Sequence, residues 1–122
     1  MHVAETGTVV RRQAPLPGGP NVGILIAPDV SEQVAVAHVE IPPGGGMPEH
    51  DHGDSEIVLI PLAGSVELRH DGVSRTLTAG SAAHIATGER VALANTGTQP
   101  ASLMVVASPP QFAESLASWP AV

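Results

Sequence analysis

The residue types that could do chemistry are concentrated in one stretch, Gly44 to Gly64, reading GGGMPEHDHGDSEIVLIPLAG. His50 and His52 stand two apart, and Glu56 follows four positions later. In an extended segment the side chains at i and i+2 point the same way, so both imidazoles would face one direction. Gly53 and Asp54 read as a turn that folds the next strand back beside the first and carries Glu56 across to the histidines. Two imidazoles and one carboxylate with open positions form the facial arrangement suited to non-haem Fe(II), and Mn, Ni, Co or Zn accept the same ligands. Glu49, Asp51, Asp54 and Glu56 crowd together here, where a bound cation would relieve their repulsion. The competing reading is a solvated acidic loop with His50 and His52 hydrogen-bonded and metal-free.

The spacing from Gly44 through His50 and His52 to Glu56 resembles the first motif of the cupin superfamily, G(x)5HxH(x)3E. That family usually has six residues between its Glu and the next Gly, whereas Ile57 to Ala63 makes seven. Pro61 lies in the interval, which suggests a β-bulge that absorbs the extra residue without moving Glu56. The second motif, G(x)5PxG(x)2H(x)3N, is matched by Gly80, Gly88 and Asn95, with Ala86 in place of its Pro and Val91 in place of its His, the fourth ligand. The resemblance spans residues 33 to 107 and implies one divalent ion held by three ligands at most, His50, His52 and Glu56.

His84 lies between Gly80 and Gly88 in a strand that, by the resemblance, borders the pocket. It is a candidate replacement ligand or pocket base, although alternation equally allows it to point outward. His38, within AVAHVEI, reads as a satisfied sheet residue, and His70 beside a turn as a solvated one. The chain has neither Cys nor Lys, which removes thiol and Schiff-base nucleophiles, disulfides and Cys-ligated zinc. No GxSxG elbow or phosphate-cradling loop is present.

The elements that must position these side chains are strands. Apolar runs recur at Val22 to Ala27, Gln33 to Ile41, Glu56 to Leu62, Ser65 to His70, Val73 to Leu77, Ala82 to Ala86, Arg90 to Asn95 and Ala101 to Ala107, and Gly, Pro, Asn or Asp separates nearly all of them. Asp71-Gly72 is a two-residue hairpin turn. The expected fold is all-β, an antiparallel β-sandwich barrel of jelly-roll, cupin-like type, in a single domain over residues 1–122. Residues 1–20 form an arm or edge strand, and residues 108–122 a tail with a short helix from Pro110 to Trp119. Phe112, Leu116 and Trp119 make a stripe on that helix, expected on the barrel's outside or on a partner.

Twelve acidic residues against five basic ones give a net charge of -7, which disfavours nucleic acid as a partner. No run is apolar and long enough to span a membrane, no secretion signal is legible, and the expected location is cytoplasmic. Ile57 to Leu62 is apolar on both faces, so a homodimer burying one of them, or the Trp119 stripe, is expected. The function expected is metal-dependent chemistry on a small organic molecule. Fe(II)-type dioxygenase chemistry comes first, and Mn, Ni, Co or Zn are alternatives as the ion. The other expectations are a redox-neutral, metal-dependent isomerase, cyclase or decarboxylase at Zn, Ni or Mn with His84 as proton carrier, and a non-catalytic metal- or ligand-binding module.

Overall fold

The structure, a computed structural model, describes all 122 residues. The strands are β1 (Arg11–Gln13), β2 (Asn21–Ile26), β3 (Ala35–Ile41), β4 (Gly46–His50), β5 (Glu56–Ala63), β6 (Ser65–His70), β7 (Val73–Thr78), β8 (Ala83–Ile85), β9 (Val91–Ala94) and β10 (Ala101–Ser108), followed by helix α1 (Phe112–Ala117). They form a six-stranded sheet in the order β1-β2-β3-β10-β5-β8 and a four-stranded sheet in the order β4-β9-β6-β7, and every named pairing is antiparallel. The expected all-β sandwich with a short C-terminal helix is thus the observed architecture.

Alternation explains which way each strand faces. Along β10, Ala101, Leu103, Val105 and Ala107 are buried, and along β3 so are Ala35, Ala37, Val39 and Ile41. Their apolar side chains meet Val66, Leu77 and Val91 of the smaller sheet in one core. In β5 the inward phase is Ile57, Leu59 and Pro61, while Glu56 and Ile60 lie exposed. The bulge expected beside Pro61 is present: Pro61 pairs with Leu103 and Ala63 with Ser102, leaving Leu62 without a partner.

The Asp71-Gly72 turn also forms as the dipeptide demands. Both residues have positive φ, 48° and 76°, the pattern of a type I′ hairpin, and His70 pairs with Val73 across it. Asn95, fully buried, ties the end of β9 to its neighbours. Its Nδ2 donates to the carbonyls of Ile41 (3.0 Å) and Gln99 (2.8 Å), and its Oδ1 accepts from the Gly97 N–H (3.0 Å).

Two expectations are corrected. β4 and β5 belong to different sheets, so the Gly53-Asp54 turn is a crossing between layers and not a hairpin. Helix α1 is shorter than Pro110 to Trp119, and its stripe does not face outward: Phe112, Leu116 and Trp119 turn in to wall a cavity between the sheets. The tail folds over because its end zips onto the free edge of β1. The Gln13 N–H donates to the Pro120 carbonyl (2.9 Å), the Val122 N–H to the Arg11 carbonyl (3.0 Å), and the Arg12 guanidinium to the Trp119 carbonyl (2.9 Å). An edge that would otherwise offer unpaired backbone groups is covered in this way. No helix is long and apolar enough to cross a membrane.

Candidate functional site: an imidazole pair in an apolar cavity

The cavity has a volume of about 220 Å³, and eleven of its fifteen lining residues are hydrophobic. β2 and β3 contribute Val22, Val39 and Ile41, β9 and β10 contribute Leu93, Leu103 and Val105, and α1 with Trp119 closes one side. His50 and His52 are the imidazoles in this wall, with Ser115 as a hydroxyl beside them. Their rings meet edge to face with centroids 4.7 Å apart, and the Phe112 ring stands edge to face on His52 at the same separation.

Local structure explains how both histidines reach the cavity. His50 is the last residue of β4 and pairs with Val91, while Met47 pairs with Leu93, so one extra residue is accommodated between the two pairs. This irregularity brings Met47 and His50, which strict alternation would place on opposite faces, to the same cavity. His52 lies beyond the strand, in the loop that crosses between sheets. Asp51 caps that loop by accepting from the Gly53 N–H (2.9 Å), and Gly53 takes a φ of 62° there. Ser55, fully buried, links the loop to the tail. Its hydroxyl donates to the Pro109 carbonyl and accepts from the Phe112 N–H (3.4 Å).

The two imidazoles are not equivalent. His50 Nδ1 lies 2.8 Å from the Pro48 carbonyl, which can only accept, so Nδ1 carries the proton and Nε2 of the neutral ring carries the lone pair. His52 is only 7% exposed, and its Nδ1 is buried without any hydrogen-bond partner. Burial, reinforced by the neighbouring His50, pushes its pKa down to about 4, so the ring is neutral at physiological pH. An unsatisfied buried polar atom is uncommon enough to need a reason, and a binding site is one.

Glu56 is not brought to this pair. Crossing between layers sets β5 with Ile57, Leu59 and Pro61 inward, so Glu56 lies in the outward phase and its carboxylate accepts from His84 Nε2 at 3.0 Å. His84, paired with Val58 across β5 and β8, likewise stands outside the barrel and is not a cavity base. Two of the other carboxylates in the acidic stretch, Glu49 and Asp51, share a cation of their own. Arg90 reaches Glu49 Oε1 at 3.1 Å and Asp51 Oδ2 at 3.3 Å, a long-range partner that relieves the crowding anticipated from the sequence.

These placements decide whether the residues fit the divalent ion that the resemblance implies. Counting the family's six residues back from Gly64 lands on Ile57, which is buried and faces inward. Val91, in the place of the fourth ligand, is also buried and lies directly across from His50. Both inward positions that would complete the donor set are therefore hydrocarbon. No group of three or more His, Cys, Asp or Glu side chains converges closely enough to hold a metal ion. The donor set amounts to two imidazoles, and it does not fit a facial triad. His38, by contrast, is the satisfied sheet histidine expected, bonded to Arg11 (3.0 Å) and Ser102 (2.7 Å). His70 is engaged more than expected, near Asp71 (3.4 Å) and Glu89 (3.3 Å).

Sequence reasoning missed the cavity role of Phe112, Ser115 and Trp119. A signal was available in that the only Phe and the only Trp of a chain without Tyr fall within eight residues of each other.

Comparison with known proteins agrees with the architecture. The chain superposes on a predicted oxalate decarboxylase from Thermotoga maritima with a TM-score of 0.78 at 18% identity, covering 88% of this chain and 98% of that one, a likeness of fold alone. It superposes equally well, TM-score 0.78, on the polyketide cyclase RemF from Streptomyces resistomycificus, at 25% identity over 89% of this chain and 80% of the other. The TT1209 protein from Thermus thermophilus matches with a TM-score of 0.72 at 25% identity, covering 89% and 98% respectively. No curated protein matches the sequence significantly. Residues 37–107, more than half of the chain, match the family model described as a cupin domain, and the protein is a member of the cupin family.

Proposed function

We propose that the cavity binds a small, largely apolar organic molecule and moves a proton on it without net oxidation, the chemistry of an isomerase or cyclase. The observation that carries this reading is the presence of two imidazoles in a cavity whose lining is otherwise apolar apart from the Ser115 hydroxyl. His50 Nε2, its lone pair fixed by the Pro48 contact, accepts a proton from carbon or oxygen of the bound molecule and returns it at a second position. His52, kept neutral by burial, serves as a hydrogen-bonding partner for the substrate's oxygen, and the apolar walls exclude water. The likeness to a polyketide cyclase supports this reaction class. Dioxygenase chemistry is less well supported, because it needs a redox metal in a facial triad, and Ile57 stands where the carboxylate would have to be.

The test is deuterium exchange at the carbon next to the carbonyl of 2-tetralone, an apolar ketone with two fused rings, followed by NMR in D2O. Exchange should be faster than in buffer alone by roughly 100-fold or more, the usual contribution of a positioned general base, and His50→Ala should remove most of it. Exchange at the buffer rate in the presence of wild-type protein sinks the reading.

The assembly follows from the other face of β5. Val58 and Ile60 face outward beside Val106 and Met104 of β10, and Ile60 is 37% exposed. A second copy is the occupant we infer for this face, since the expected alternative, the Trp119 stripe, is already spent on the cavity. Light scattering should return twice the 12.4 kDa chain mass, and Ile60→Asp should return the single-chain mass. A wild-type monomer at high micromolar concentration contradicts the inference.

A further inference from the structure

We infer that the ligand is a planar aromatic molecule of one or two rings carrying a hydroxyl, recognised by its ring on the Phe112 and Trp119 side and by its hydroxyl at His50. This inference rests on the functional reading above and narrows it to a substrate class. Size sets the first limit. A dry engineered cavity of about 150 Å³ takes up benzene, so about 220 Å³ accommodates one substituted ring or two fused rings and no more.

Shape and chemistry set the second. A chain with 2% aromatic residues has placed both of them, Phe112 and Trp119, in this wall, where aliphatic side chains would have sufficed merely to fill space. Phe112 and His52 already stand edge to face, with ring planes at 75°, so a third ring entering the cavity extends an arrangement that aromatic quadrupoles favour. Leu59, Leu93 and Leu103 supply part of the remaining hydrocarbon surface. Of the two imidazoles, the one whose acceptor is fixed by a hydrogen bond is His50, through Nε2, which suits an O–H donor such as a phenol or enol. Carboxylates are disfavoured, because an apolar wall without a Lys or Arg among its lining residues has nothing to balance a buried negative charge.

Three probes of one skeleton test this through the fluorescence of Trp119, the only Trp of the chain: 2-naphthol, naphthalene and decahydro-2-naphthol. 2-Naphthol should bind roughly tenfold tighter than its saturated counterpart, the scale of two aromatic contacts. Phe112→Leu should shrink that preference several-fold, and His50→Ala should erase the preference of 2-naphthol over naphthalene. Equal binding of 2-naphthol and decahydro-2-naphthol overturns the aromatic class, yet leaves the small-molecule reading standing if 2-tetralone still exchanges. Binding of naphthalene as tight as that of 2-naphthol overturns the role given to His50. Absence of binding by all three, with the fold intact by circular dichroism, overturns this inference whatever the exchange assay shows.

Discussion

Replacing Ile57 by Glu and Val91 by His together is expected to give the cavity a four-ligand metal centre. Ile57 is fully buried on the inward face of β5, and Val91 is buried and pairs with His50 across β4 and β9, so both new side chains start from inward positions of the core. The metal-free double variant should be less stable than wild type by several kcal/mol, since it buries a carboxyl and an imidazole where hydrocarbon was packed. Zn(II) or Ni(II) should restore that stability in proportion to concentration, by about 2.7 kcal/mol at a hundredfold excess over the dissociation constant. Even outer-shell changes alter metal affinity by roughly 10 to 100-fold, so two added ligands should exceed that range relative to wild type. Calorimetric titration of both proteins with each ion checks this. Equal affinities would mean that positions 57 and 91 do not face His50 and His52.

Asn95→Ala should be the most damaging single change outside the core hydrocarbons. The side chain is 2% exposed and satisfies the Ile41 and Gln99 carbonyls and the Gly97 N–H at once. Alanine leaves all three without their partner, and an unsatisfied buried group costs about 1–3 kcal/mol. Water can reach part of the exposed Gln99 turn, so we expect a loss of about 3 kcal/mol and a fall in Tm of roughly 10 °C or more for a chain of this size. Urea denaturation with the slope unchanged and the midpoint lowered is the readout. Because Asn95 braces β9, whose Leu93 lines the cavity, probe affinity should fall with it.

The sequence made the sheet architecture readable for local reasons. Period-two alternation in SVEL, the Asp71-Gly72 dipeptide and the Pro61 interruption each impose their structure within a few residues, and β6, the hairpin and the bulge lie where they were expected. The direction of Glu56 was not readable in the same way. EIVLIPLA is apolar in both phases, so periodicity could not say which set faces inward, and the loop through Gly53 could equally have closed a hairpin or crossed between layers. Counting back from Gly64 rather than forward from His52 would have selected Ile57. The partners of the acidic stretch were hidden for another reason: Arg90 lies some forty residues from Glu49 and Asp51, and only the fold brings them together. The tail was half legible. Its stripe follows from helical spacing, but its burial against the cavity depends on Arg11, Arg12 and Gln13 at the opposite end of the chain.

In the proposed reaction His50 and His52 meet the ligand directly. This is tested by measuring 2-tetralone exchange on one preparation before and after exhaustive chelation, with metal content determined on both samples. Direct contact predicts that the exchange rate is the same in the two samples and falls when His50 or His52 is replaced. Loss of exchange on chelation, with recovery on adding back a divalent ion, would contradict it.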